Sequence, residues 1–321
     1  MNKGWRIAAR FTGLCLIVAS ATSQLQAQVV PGTGTKISNV GDNFEDKNWN
    51  YIHNDPKSSK EQDEQVRFPT GYAANRLWFE GQKRGAPDVI QIVPTPEGGI
   101  PGSQYSLLLA SKRTGIPGQI SYKMQQDDFV MACMSRVGAI HVNRTPSAVT
   151  RVWMPPFDEW ENRSGSQFGF RIDLKTTTSE IETERYGFLR RKTRTKTVSK
   201  TEPYWPGFFV QFHSETDARF QRDSAVLVIR GDHLGHEVKG PEISPGWWTL
   251  GMSVTADGRV HYYARRGVQD LTAQDYLYSS KPYGFTAERF ATMFYNVVNK
   301  DDGYTWSTRW IVDDPAVYTL R

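Results

Sequence analysis

The chain has 321 residues, 38% of them hydrophobic, 23% charged and 12% aromatic, with a formal net charge of +5. Its 27 glycines and 17 prolines are near the usual shares for soluble proteins, which excludes a disordered or collagen-like chain. Only one stretch approaches bilayer length, which excludes a polytopic membrane protein.

The first 27 residues read as a cleavable export signal. Lys3, Arg6 and Arg10 form a positive start, with no acidic residue before Asp42. An apolar run over residues 11–21 follows and is too short to anchor in a bilayer. Cleavage after Ala27 leaves a mature chain without a transmembrane segment, released to the periplasm or the exterior. It lowers the net charge to +2, because three basic and no acidic residues leave, and a nearly neutral domain argues against nucleic acid as the partner. Cys15 leaves too, so Cys133 remains without a disulfide partner, and its apolar surroundings mark it as inert packing.

A linker over residues 28–39 leads into one domain spanning 40–321. Short alternating or apolar runs rich in Val, Ile, Phe, Tyr and Trp, separated by Gly/Pro/Asp turns, predict an all-β antiparallel sandwich. Expected strands cover residues 89–93, 105–110, 129–134, 148–154, 167–176, 208–213, 225–230, 248–255, 259–265, 289–298 and 307–313 with 317–320. Residues 246–266 form the clearest hairpin, turned by Ala256-Asp257-Gly258. A helix is expected only at 286–292, where Thr286 caps and Glu288 follows. Two insertions interrupt the pattern. Residues 54–85 are polar and read as a long loop. Residues 179–200 begin acidic (Glu180, Glu182, Glu184) and end basic (Arg190, Arg191, Lys192, Arg194, Lys196, Lys200), as expected of a two-stranded ribbon with complementary edges.

The segment from Gly246 through Trp247, Trp248, Leu250, Gly258 and Val260 to Tyr263 resembles the W-x-x-L…G-x-V-x-x-Y hairpin of concanavalin A-like lectin/glucanase jelly rolls. Phe44-Glu45-Asp46 and Trp310-Ile311-Val312-Asp313-Asp314 are similar to the opening and closing strands of such domains. The resemblance implies a jelly-roll β-sandwich. That fold hosts lectins, glycosidases, lyases and inert modules alike.

Four constellations carry candidate chemistry. Retaining glycosidases need carboxylates about 5 Å apart, but Asp158-Glu159-Trp160-Glu161 is misphased and Glu180–Glu184 lies in a polar insertion, so hydrolysis is disfavoured. Gln211-Phe212-His213 resembles the Gln-Ile/Val-His strand of jelly-roll alginate lyases, and alternation puts Gln211 and His213 on one face. The resemblance implies Tyr262 as the acid/base and Arg171 as the group that neutralises a uronate carboxylate; the lyases' Arg-x-Glu-x-Arg strand has no counterpart here. An aromatic platform for glycan is expected from Trp205 and Tyr262 as outward rings, with Tyr263 and Arg265 also binding substrate. For metal, the His233/His236 loop reads as solvated, whereas Glu45 or Asp46 with Asp313 or Asp314 suits a structural calcium between the paired terminal strands. The leading expectation is a secreted carbohydrate-binding or otherwise non-catalytic jelly roll with a polysaccharide partner. The alternatives are a uronate-specific polysaccharide lyase acting by β-elimination, and a cell-surface structural or interaction protein docking through the basic ribbon near residues 190–200.

Overall fold

A computed structural model describes residues 29–186 and 192–320; residues 1–27, read above as an export signal, and Arg190 and Arg191 lie outside the described residues. In chain order the strands begin with β1 (Thr35–Gly41), β2 (Tyr51–Ile52), β3 (Tyr72–Ala73), β4 (Trp78–Glu80), β5 (Val89–Pro94) and β6 (Tyr105–Ala110). Then come β7 (Gln125–Met131), β8 (Ile140–His141), β9 (Ser147–Met154), β10 (Gly165–Tyr186), β11 (Lys192–Tyr204), β12 (Gly207–His213) and β13 (Ser224–Arg230). The last six are β14 (Glu237–Ile243), β15 (Gly246–Val254), β16 (Val260–Arg266), β17 (Tyr276–Ser280), β18 (Arg289–Asn299) and β19 (Trp310–Thr319). They form an antiparallel jelly-roll sandwich. Sheet I runs β17-β16-β15-β9-β19-β6-β5, with β1 paired to β19. Sheet II runs β14-β13-β12-β10-β18-β7-β4-β3-β2, with β11 on β10 and β8 on β18. Among the described residues no helix is long and apolar enough to cross a membrane.

Period-two alternation decides which side of each strand is buried. On β10, Phe168, Phe170, Ile172 and Leu174 enter the core, leaving Gly169, Arg171 and Asp173 on the outer face. On β12, Phe208, Val210 and Phe212 point inward, so Phe209, Gln211 and His213 point out. Sheet I answers with Trp248, Leu250 and Met252 of β15, Val260 and Tyr262 of β16, and Trp310 and Val312 of β19. The expected hairpin at 246–266 forms. Gly258 turns it with φ +75°, and an added Cβ there would lie 2.7 Å from the Ala287 backbone, so only glycine fits. The ribbon also forms, its register setting Glu182 opposite Lys196 and Glu184 opposite Arg194.

Three expectations need correction. Residues 286–292 are not helical: β18 begins at Arg289 and pairs with β10 and β7, so sheet pairing overrides a local capping signal. The strand expected at 129–134 stops at Met131, and Cys133 begins a one-turn helix, buried, with its thiol pushed up to about 12 by desolvation. The 54–85 segment contributes β3 and β4 to sheet II and is tied down rather than draped.

Lys57 supplies the tie. Its Nζ lies 2.8 Å from Asp127 and 2.9 Å from Asp88, and donates to the Arg113 carbonyl at 2.8 Å. Burial pulls the ammonium down, but the two carboxylates outweigh it and hold the charge on. Glu80 completes the anchor by accepting from the Ser58 and Gly71 amides at 2.6 and 2.8 Å. Replacing one member of a buried pair strands the other charge. Lys57→Met is therefore expected to lower unfolding stability by about 3 kcal/mol, read from urea denaturation of both proteins. A loss under about 0.5 kcal/mol would show that the tie carries no weight.

Candidate functional site

The outer face of sheet II carries a polar groove. One register row crosses it as Phe79, Val130, Phe294, Arg171, Gly207 and Arg230, from β4 to β13. The next outward row holds Asp128, Asn296, Gly169, Phe209 and Val228. Two cavities open on this face. One, of about 290 Å³, has Lys83, Asp128, Asp173, Lys175, Trp205 and Thr292 among its walls. The other, of about 360 Å³, has Gln126, Ser166, Phe209, Arg230 and Val298. Arg84 lines both, so they lie side by side along the face, together called the groove. Along β18 it extends from Thr292 to Val298, six residues or roughly 20 Å at the strand rise.

Arg171 lines neither cavity itself; it lies, 5% exposed, near Phe209 of one cavity wall and Phe294 of the other. Its Nε donates to the Trp205 carbonyl at 2.9 Å, and Nη2 donates to the same oxygen. The guanidinium carbon sits 5.4 Å from the Phe209 ring centre and 5.5 Å from that of Phe294. Among the described residues no carboxylate comes within ion-pairing distance, and burial pushes the group down to about 10. Asp128 acts on this cation only from beyond ion-pairing distance, so the guanidinium is buried without a direct ion pair. Glycine creates the room beside it: a Cβ on Gly169 would stand 2.6 Å from Asn296 Oδ1 and 3.0 Å from the Phe209 ring.

Two carboxyls share the face. Asp128 accepts from Asn296 Nδ2 at 2.6 Å and Gln126 Nε2 at 3.0 Å, with Arg84 at 3.6 Å; burial nevertheless raises its pKa. Asp173 is pushed up to about 6 by burial, against the pull of the Trp205 indole and the cations Lys175, Lys83 and Arg171. Its Oδ1 is buried without a hydrogen-bond partner. Lys83 stands 3.7 Å over the Trp205 ring, and burial lowers its pKa. In register, Asp128 and Asp173 are two strands and four residues apart, about 10 Å by about 13 Å, so their backbones are not set for a glycosidase pair.

Of the residues expected from sequence, Arg171 and Trp205 meet in this groove. Gln211 and His213 share its face but lie four and six residues along β12 from the Arg171 row, about 13 and 20 Å away. The His213 ring stacks on Phe220 at 4.2 Å. Tyr262 is not brought to them. It belongs to sheet I and is buried in the core against Phe208. Its parity follows from Val260 and Ala264, which also face inward. Tyr263 points to the opposite side of sheet I, where Val149 and Leu271 bury it, so neither tyrosine is an exposed platform. Arg265, on that same far face, is held by the Asp270 carbonyl at 3.1 Å and Asp275 at 3.5 Å.

Of the four terminal acids, Glu45 and Asp313 meet across one hydroxyl while Asp46 and Asp314 turn to other partners, and β1 and β19 pair as expected. Glu45 accepts from the Gln104 and Tyr105 amides at 2.9 and 3.2 Å, and Ser103 Oγ bridges it (3.1 Å) to Asp313 (2.9 Å). Asp46 caps the Asn48 amide at 2.9 Å, and Asp314 pairs with Lys36 and Arg151 at 3.0 and 3.3 Å. No group of three or more His, Cys, Asp or Glu side chains among the described residues is placed to share a cation, so these acids do not fit a calcium cage.

Sequence reasoning missed Lys83, Arg84, Asp128 and Asn296. The readable signal was a polar residue at an alternating position of an apolar strand, as in Phe294-Tyr295-Asn296-Val297-Val298.

No family model matches the sequence, and no curated protein matches it. Solved structures do. A β-glucanase catalytic domain of family GH131 from Podospora anserina is 11% identical with a TM-score of 0.40, covering 83% of this chain and 93% of its own. A carbohydrate esterase from the Shiga toxin-encoding bacteriophage phi24B is 10% identical with a TM-score of 0.39, covering 83% and 97%. An alginate lyase from Pseudomonas aeruginosa is 8% identical with a TM-score of 0.37, covering 72% and 86%.

The raised Asp173 gives a testable sign. A carboxyl whose folded pKa is about 6, above its usual 3.8, favours the native state while protonated and costs stability as pH rises through that interval. Asp173→Asn is expected to gain on the order of 2 kcal/mol over wild type at pH 7.5 and nothing at pH 3. Parallel denaturation curves at the two pH values check this, and an equal difference at both would refute it.

Proposed function

We propose that the protein is an exported carbohydrate-binding jelly roll whose sheet II groove holds an acidic polysaccharide. The observation that carries this reading is Arg171, buried beneath the groove with no carboxylate partner among the described residues. Above it, Lys83, Arg84, Lys175 and Arg230 line the cavities, facing Glu61, Asp128 and Asp173. A chain bearing carboxylate or sulfate groups offsets this excess of positive charge, while a neutral glucan leaves it uncompensated. Trp205 supplies a half-buried ring in the cavity wall; Lys83 covers one face, so a pyranose would stack on the other or displace the ammonium.

Cleavage of such a chain by β-elimination is a second reading, favoured by Asp173, a carboxyl held near 6 beside the cations that would meet a uronate. Absorbance from unsaturated uronate ends, present in wild type and lost in Asp173→Asn, supports cleavage; binding without that absorbance leaves the groove non-catalytic.

The binding test uses calorimetry with alginate, pectate, a sulfated galactan and a neutral β-glucan. At least one acidic polymer is expected to bind and the neutral one to bind at least tenfold more weakly. The double variant Lys175→Glu with Arg230→Glu is expected to weaken acidic-polymer binding about tenfold, since each contact to a charged group is worth about 1 kcal/mol or more. Equal binding of neutral and acidic chains, or indifference to the double variant, would overturn the proposal.

A further inference from the structure

The groove does not end with sheet II. Its two central strands are β7 and β18, and their register closes with Gln125 opposite Asn299. The chain before β7 and the chain after β18 therefore leave the same end of the groove as adjacent loops. Three rings stand on them in solvent: Tyr122 is 67% exposed, Tyr304 77% and Trp306 46%. Met124, 54% exposed, belongs both to the first loop and to the wall of the nearer cavity. Met124 thus links the first loop to the groove wall, and Tyr122, Tyr304 and Trp306 stand on the loops beyond it.

Both loops are pinned. The Tyr122 amide donates to the Asp301 carbonyl at 3.1 Å, and the Ser121 amide to the Asp301 carboxylate at 3.0 Å. Asp302 accepts from the Tyr304 and Thr305 amides at 2.9 and 2.7 Å, and from the Thr305 hydroxyl at 2.8 Å. Rings held on clamped loops lose little freedom on binding, which suits repeated weak stacking against a stiff ligand. Polar residues beside them, Lys123, Asp302 and Thr305 among others, separate the rings and make a poor continuous surface for insertion into lipid.

We propose that Tyr122, Met124, Tyr304 and Trp306 form an aromatic lip that stacks on the sugar rings of a polysaccharide emerging from the groove. This rests on the groove being a glycan site. The lip makes the protein a reader of chain length: a short oligosaccharide fills the groove alone, and a polymer engages groove and lip together.

The test compares wild type with the double variant Tyr304→Ala and Trp306→Ala, whose side chains are exposed, and with Tyr122→Ala. Calorimetry is run with the acidic polymer that binds best and with its tetrasaccharide. Losing two stacked rings is expected to weaken polymer binding about tenfold and Tyr122→Ala about threefold, with tetrasaccharide affinity unchanged. Unchanged polymer affinity in the double variant would overturn the lip while leaving the groove standing. Equal losses for polymer and tetrasaccharide would also overturn it, by showing a general disturbance of the groove. A wild-type protein that binds neither ligand would overturn the groove reading itself, and the lip with it. Phosphatidylserine vesicles form a last arm: vesicle binding lost in the double variant, with polymer affinity intact, would assign the rings to a membrane and overturn the proposal.

Discussion

Tyr295 joins the two sheets at the centre of the core. It belongs to β18 of sheet II, yet its hydroxyl bonds Thr150 of sheet I at 2.6 Å, fully buried. Around it the rings form a continuous layer: Trp78 at 5.6 Å, Phe168 at 5.6 Å and Phe170 at 6.0 Å. Trp78 in turn stacks on Phe129 at 4.6 Å, nearly parallel, and Phe168 leans on Trp310 of sheet I at 5.0 Å. With no disulfide available to the described residues, Cys133 being free, this aromatic layer and the Tyr295–Thr150 hydrogen bond hold the sheets in register. Everything on the outer face of sheet II inherits its position from that constraint. Fixing Tyr295 inward sets Phe294 and Asn296 outward, and Phe170 inward sets Gly169 and Arg171 outward.

The groove is therefore the reverse side of the core. Asn296 reaches Asp128 because β18 lies beside β7, and Arg171 lies between Phe209 and Phe294 because β10 separates β12 from β18. A register slip of one residue would send Arg171 and Asp128 into the aromatic layer and Phe170 to solvent, an exchange too costly to populate. That rigidity lets a buried guanidinium persist without an ionic partner.

How much of this was legible in the sequence depended on how local the signal was. Alternation within single strands placed β6, β12, β13, β15, β16 and β18 closely, because one buried face dictates period two. The same alternation announced that one of Tyr262 and Tyr263 faces the main core, but the expectation of Tyr262 as the outward ring chose the wrong parity, and the pattern did not announce that the other would be covered as well. Leu271, which covers Tyr263, comes from a turn beyond the strand and leaves no trace in the local pattern. Arg171 and Trp205 were readable as candidates. Their meeting was not, since it depends on a carbonyl contact across 34 positions. Asp128 and Asn296 are 168 positions apart, and only the pairing of β7 with β18 joins them.

The segment that looked most like decoration turns out to place two of the groove's cations. Lys83 and Arg84 sit in the turn closed by the Gly81–Gly85 bridge, and that turn is stitched to Asp128 from both sides. The Gly81 amide donates to the Asp128 carbonyl at 3.0 Å, and the Asp128 amide donates to the Gly85 carbonyl at 3.1 Å. The start of the same segment is locked by Lys57 to Asp127, the neighbour of Asp128 that points inward toward Ser111. Successive residues of β7 thus hold the insertion from within and carry its cations without. Polar residues 54–85 kept the segment from reading as part of the fold, because its apolar content is too low to signal burial by itself. Its order comes from two carboxylates, Asp127 and Glu80, buried where the segment's own amides and ammonium can reach them.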